Sequence, residues 1–273
     1  MRIRELGHLD QPVIVFGGPY SNVQATQAIL IEADKRAIPG THQICTGDVV
    51  AYCGKPNETV DLIRASGCAV VAGNCEKQLA SRAADCGCGF DEGSACDMLS
   101  GGWYQFANTH LSGSARDWMQ QLPDVAVFWH RGKRFAVIHG GHTDIARFIW
   151  PVTADDVFDQ EWAALESSVG AVDAVISGHC GLAFTKHTKH GRWVNAGVIG
   201  MPPNEGHRDT RFAILENGNI THHSLSYDAR AAQRDMQKAG LSQGYDQSLI
   251  SGYWPSEDVL PPDLRRSAAL ASG

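Results

Sequence analysis

Short apolar runs recur along the first two-thirds of the chain, and nearly all of them stop at a glycine followed by a polar residue. Val13–Phe16 ends at Gly17-Gly18-Pro19, Gln43–Thr46 at Gly47-Asp48, Cys68–Ala72 at Gly73-Asn74, and Ala174–Ser177 at Gly178-His179. Runs this short, fully apolar and closed by turn residues read as buried strands. Between them the period lengthens to that of a helix. Asn22 caps a predicted helix over 23–37, with Val23, Leu30 and Ala33 on one face, and Pro56 opens a second that runs to Ser66. A third spans about 154–168. Later the pattern turns to hairpins. Val125–His130 and Lys133–His139 flank Arg131-Gly132, strands follow near 184–187, 192–195, 211–215 and 220–225, and Glu216-Asn217-Gly218-Asn219 reads as a tight turn. A last helix is predicted over 228–239.

Residues 78–122 break this rhythm. A loop-like stretch, Asp85 to Cys96, precedes two helical segments near 97–110 and 114–121, read as an insertion over or beside the sheet rim. Strand–helix alternation followed by hairpins predicts an α/β fold of two packed sheets flanked by helices. The expected organisation is one domain over 1–273, with the insertion at about 78–122 and a C-terminal extension at about 228–273. Each polar strand end then lies on the rim where open α/β sheets usually place ligands.

Composition narrows the chemistry. The 273 residues are 43% hydrophobic and 19% charged, with a net charge of -7 and no basic stripe, which argues against a nucleic-acid partner. An acidic chain also repels phosphorylated ligands at long range, so handling phosphate requires a local cation, and a metal ion is the economical one. Residues 1–12 are polar and the apolar run after them is short, so neither a secretory leader nor a membrane span is predicted. Eight cysteines at irregular spacing suggest no disulfide framework and point to a reducing, cytoplasmic setting.

Four residues at those strand ends carry the candidate chemistry: Asp48, Asn74, His139 and His179. Two oxygen and two nitrogen donors suit a borderline divalent ion such as Mn²⁺, Fe²⁺, Zn²⁺ or Ni²⁺. The order Gly-Asp, Gly-Asn-x-x, His, Gly-His-x-x resembles the calcineurin-like metallophosphoesterases. The likeness is greatest to their small bacterial branch, through Gly73-Asn74-Cys75 and the later Asn195-Ala-Gly-Val-Ile-Gly-Met-Pro202, and it covers about residues 13–225. The resemblance implies a four-layer α/β/β/α sandwich with a two-metal centre that hydrolyses phosphate mono- or diesters. It makes Asp48 the bridging carboxylate and completes one metal position with Asn74, His139 and His179. The other position is dismantled. The family's Asp-x-His falls on Gly18-Pro19-Tyr20, and its closing Gly-His-x-His on Gly178-His179-Cys180-Gly181. Cys75 stands in the place of the usual His, and Glu76 in that of its acidic partner.

The resulting expectation is hydrolysis of a small phosphomonoester or phosphodiester by a metal-bound hydroxide, with one metal per chain rather than two. Asn74, helped by Asn22, would steady the oxyanion, with Cys75 and Glu76 as further catalytic candidates. Tyr20 and His142 would contact substrate. Tyr20, Cys180 and His142 are also the residues through which a second metal would have to be held. The alternative is a family member that has lost catalysis and binds a phosphorylated ligand or metal as a sensor or partner protein. Plainer roles stand beside these: Asn22 as a helix cap, Cys75 as a buried apolar residue, Cys86, Cys88 and Cys96 as loop packing, His187, His190, His222 and His223 as surface or strand residues, and Trp103, Tyr104 and Phe106 as helix core.

Overall fold

The protein is described from a computed structural model, in which residues 1–266 are placed. The final part of the expected C-terminal extension, 267–273, lies outside the described residues. Two mixed sheets stack face to face. One has six strands: β1 (Ile3–His8), β5 (Val125–His130), β6 (Lys133–Val137), β7 (Ala174–Ser177), β9 (Arg192–Asn195) and β8 (Phe184–His187), adjacent in that order. The other has five: β11 (Asn219–Leu225), β10 (Thr210–Glu216), β2 (Val13–Phe16), β3 (Gln43–Cys45) and β4 (Ala69–Val70). Parallel pairs join β2 to β3 and β3 to β4, and β6 to β7 and β7 to β9, so these strands all end at one rim.

Strand alternation creates the layers. Val13, Val15 and Ile44 meet Phe128, Phe135, Val137 and Ile176 between the sheets. The alternate residues Ile14, Phe16 and Cys45 face outward onto a helical layer of α1 (Val23–Lys35), α2 (Pro56–Ser66), α4 (Ala95–His110), α5 (Gly113–Gln121) and α7 (Ala229–Lys238). On the far side, Val127, Ala136 and Val175 pack on Phe158, Trp162 and Leu165 of α6 (Asp155–Val169). This gives helix, sheet, sheet, helix. Trp103 and Tyr104 are buried in the first helical layer and Phe106 packs against it, so 95–121 adds to that layer.

Several elements differ from expectation for identifiable reasons. Residues 3–8 form a strand although the sequence there is polar and exposed; it is an edge strand held by backbone pairing with β5. The buried face of α1 runs through Ala25, Thr26, Ile29 and Ala33, one step round from Val23 and Leu30, which are only half-buried. A helix absent from the periodicity, α3 (Asn74–Ser81), begins directly at Asn74, and α8 (Tyr245–Ser251) lies in the C-terminal extension. Both turns predicted from sequence carry two consecutive positive-φ residues, Arg131-Gly132 and Asn217-Gly218, which matches the twist of the strands they join. Buried His130 ties the sheets together: its Nδ1 donates to Leu9 O, and its Nε2 accepts from Gly218 N–H.

Candidate metal centre

The rim turns bring the four sequence-predicted side chains to one buried point. Asp48 has φ +55 on the turn after β3, Asn74 is the first residue of α3, His139 follows β6, and His179 follows β7. His139 Nε2 lies 3.0 Å from Asn74 Oδ1, 2.9 Å from His179 Nδ1 and 3.3 Å from Asp48 Oδ2. Asp48, His139 and His179 can hold a metal ion between them, and the Asn74 oxygen faces the same point. Gly73 permits this approach, since a Cβ there would sit 2.2 Å from Asp48 Oδ1.

Hydrogen bonds around the cluster fix which lone pairs point inward. His139 Nδ1 is 2.6 Å from the Thr46 carbonyl, so it carries the proton and leaves the Nε2 lone pair facing Asp48 and Asn74. The Asn74 amide donates to Cys86 O at 3.0 Å and contacts Cys88 Sγ at 3.4 Å, which turns its oxygen toward His139. With His139 neutral, the cluster holds more acceptors than protons. If His179 Nδ1 donates to His139, both oxygens still face a lone pair, and His179 Nε2 is buried without a partner. A divalent cation matches this donor set, and the residues fit one.

Charge behaviour follows from that packing. Burial alone would raise the Asp48 pKa, but the facing His139 and His179 outweigh it and hold the carboxyl below its usual range. Burial would lower the His139 pKa, and here the Asp48 carboxylate wins, so it is raised. His179 is pushed down to about 3 by burial and by the neighbouring His139.

The other sequence candidates fall in different places. Glu76 does not face the cluster. It is fully buried, and its carboxylate accepts from the N–H groups of Asp48 at 2.7 Å, Val49 at 2.8 Å and Gly73 at 2.8 Å, clamping the Asp48 turn to the start of α3. Burial, then the charge of Asp48, raises its pKa to about 7. Cys75 is buried against the helical layer, with its backbone N–H donating to Asp48 Oδ1 at 3.2 Å and its thiol beside the same carboxylate. Asn22 has both side-chain groups engaged, Oδ1 capping Ala25 N–H and Nδ2 donating to Gly200 O. His142 turns away: its Nε2 bonds Ser168 Oγ of α6 at 2.9 Å. Tyr20 and Cys180 do line the cavity beside His179. A Cβ on Gly18 would be 2.5 Å from Tyr20 Cζ, so the phenol ring stands where the family's opening Asp would project. Cys86 and Cys88 are bonded to each other, and Cys96 stands apart as a free buried residue.

Two residues went unrecognised in the sequence. Glu161 is buried on α6, where it accepts from the N–H groups of His142 and Thr143, from Thr143 Oγ1 and from Arg147, and so pins the loop after His139. Its signal was present, since it shares the apolar stripe of Phe158, Trp162 and Leu165. Trp254 lines the same cavity and lies 3.8 Å from where a Cβ on Gly181 would stand, beside Val198, and nothing in the local sequence announces its return to the site.

Two outcomes are expected. Glu76→Ala releases three N–H groups and should lower the unfolding free energy by about 2–4 kcal/mol in urea titrations with chelator present; Glu76→Gln should not rescue it, because its amide donor meets backbone donors. Metal binding should release one proton, not two. Below its raised pKa His139 must lose a proton to ligate, so affinity falls about tenfold per unit as pH drops there, while His179 and Asp48 are already deprotonated. Calorimetry in buffers of different ionisation enthalpy counts those protons.

Residues 21–219 match the model of the calcineurin-like phosphoesterase superfamily domain. An uncharacterized protein of Methanocaldococcus jannaschii is 24% identical over 263 residues, covering 88% of this chain and 98% of its own. The crystal structure of a hypothetical protein of Pyrococcus horikoshii superposes with a TM-score of 0.70 at 16% identity, over 88% of this chain and 98% of that one. A metallophosphoesterase of Sphaerobacter thermophilus gives 0.68 at 18%, over 89% and 100%. No helix among the described residues is long and apolar enough to cross a membrane. With a matched family model over more than half its length, two stacked mixed sheets and a rim cluster of Asp48, His139 and His179, the chain belongs to the calcineurin-like phosphoesterase superfamily.

Proposed function

We propose that this chain hydrolyses a small phosphoester with a single divalent transition metal ion held by Asp48, Asn74, His139 and His179. The observation that supports this reading is the meeting of His139 Nε2 with an amide oxygen at 3.0 Å and a carboxylate oxygen at 3.3 Å, on a ring whose Nδ1 is taken up by the Thr46 carbonyl. Family membership supplies the reaction class, metal-dependent phosphoester hydrolysis. A bound divalent ion supplies a Lewis acid that acidifies water and polarises a phosphoryl oxygen.

The chain's own residues set the conditions for that chemistry. Thr46 fixes the His139 tautomer, Glu76 holds the Asp48 turn, and the Cys86–Cys88 loop aims the Asn74 oxygen. Glu76 is thus a positioning residue, while Asn22 caps α1 and ties it to Gly200. Burial keeps the Tyr20 phenol protonated, so it enters the cavity as a donor suited to a phosphoryl oxygen. Cys75 stays a thiol for the same reason, so it serves as packing and not as a proton donor to substrate. Segments 78–122 and 228–266 are additions to one catalytic unit: the first braces Asn74, and the second walls the cavity.

A second reading, a sensor without turnover, draws on the Tyr20 ring over Gly18, which fills the other metal position. His179→Ala separates the two. The catalytic reading expects p-nitrophenyl ester hydrolysis by the Mn²⁺- or Zn²⁺-loaded wild type, falling to background in the variant. A metal-loaded wild type that turns over no aryl ester but binds one, and loses that binding in the variant, establishes the sensor.

A further inference from the structure

All four donors of the rim cluster are shut away from solvent: Asp48 is 4% exposed, Asn74 2%, His139 3% and His179 7%. The cavity beside His179 measures about 60 Å³. That is room for a few waters, well below the roughly 300 Å³ at which small-molecule sites begin. A phosphoester reaches the cluster only after part of its cover has moved.

Three pieces of chain form the cover, and they differ in how firmly they are held. The loop carrying Phe148, whose ring lies 4.4 Å from that of His179, is pinned by Glu161 through His142, Thr143 and Arg147. Trp254 is fixed by two hydrogen bonds, from indole Nε1 to Pro202 O at 2.7 Å and from backbone N–H to Asn204 Oδ1 at 2.8 Å. The third piece is the strap 84–93, which runs between α3 and α4 with no helix or strand of its own. Among the described residues, no backbone–backbone hydrogen bond ties it to either sheet or to a helix.

The strap is anchored at its ends. Tyr104 Oη donates to Ala83 O at 3.0 Å, and Ala95 N–H to Asp258 Oδ2 at 3.1 Å. Between them its inner face rests on the site. Cys86 and Cys88 are buried and bonded to each other, Cys86 O accepts the Asn74 amide at 3.0 Å, and Phe90 stacks on Phe148 with centroids 5.9 Å apart. Asp85, Gly89, Asp91, Glu92 and Gly93 face solvent. Gly89, at φ +73, passes so near the neighbouring loop that a Cβ on it would be 2.9 Å from Ala146 O. Segments held by so few contacts open locally ahead of the core around them.

We propose that 84–93 is a lid, which lifts from Phe148 to admit a ligand to the metal centre and then closes over it. Each closure restores the bond between the Asn74 amide and Cys86 O, so the lid resets the Asn74 oxygen toward the cluster. The inference goes beyond the function proposed above, and only the first of its two readouts needs the metal.

Both readouts use the full-length protein as wild type, Phe90→Ala and Gly89→Ala. One variant removes the stacking ring, and the other sets a Cβ against the Ala146 carbonyl. The first readout is the rate at which excess pyridylazoresorcinol takes Zn²⁺ from the loaded protein, followed by absorbance. The second is N-ethylmaleimide labelling of metal-free protein, read by peptide mass spectrometry. It compares Cys180, which lines the same cavity as Phe90 and His179, with Cys45 in the core. The lid predicts that both variants lose Zn²⁺ and label Cys180 at least about tenfold faster than wild type, with Cys45 unchanged. Wild-type Cys180 should label at least about a hundredfold more slowly than in the urea-unfolded chain. Rates close to wild type in both variants, or a wild-type Cys180 as reactive as in the unfolded chain, overturn the lid and leave phosphoester hydrolysis standing. Parallel gains at Cys180 and Cys45 mean general loosening and overturn it too. A protein that binds no Zn²⁺ removes the metal reading, and Cys180 labelling alone then decides the lid.

Discussion

Four electron-pair donors meet at one buried point, and the arrangement of the rim follows from holding them there. Thr46 takes one imidazole proton, the Cys86–Cys88 loop takes both amide hydrogens of Asn74, and the remaining lone pairs face inward. A protein interior tolerates such crowding of acceptors only with a positive partner. The turns that deliver these groups are themselves tied by Glu76, which gathers three N–H groups from Asp48, Val49 and Gly73. One fully buried glutamate therefore joins strand end to helix start.

The same rim departs from the family's two-metal pattern at Gly18 and Gly181. The loss is more than absent ligands. Tyr20, at φ +53, lays its ring over Gly18, and Trp254 lies 3.8 Å from where a Cβ on Gly181 would stand. Restoring a side chain at position 18 would require the Tyr20 ring to move. What lines that half of the cleft is apolar surface, with no Lys, Arg, Asp or Glu among the residues of the cavity beside His179.

Much of this was legible in the sequence because strand ends, glycines and caps are local signals. Asp48, Asn74, His139 and His179 each follow a short apolar run, and family order tied them together before any distance was known. Asn22 was correctly seen as a cap, and the capping role uses up its side chain. What stayed hidden depends on tertiary contact. The orientation of His142 toward Ser168, the turn of Glu76 toward backbone, and the return of Trp254 to the site are set by neighbours far away in the chain. The polar edge strand at 3–8 was invisible to hydrophobic pattern because backbone pairing holds it, with no apolar face of its own. The bond between Cys86 and Cys88 likewise depends on a loop path that spacing does not encode.

The central claim is that one cation, and only one, completes this rim. Plasma mass spectrometry of the protein after loading with Mn²⁺ or Zn²⁺ and gel filtration counts metal atoms per chain. The account predicts a value near one. A value near two would mean that the Tyr20 ring does not block the second position, and a value near zero would mean that the converging donors bind no metal at all.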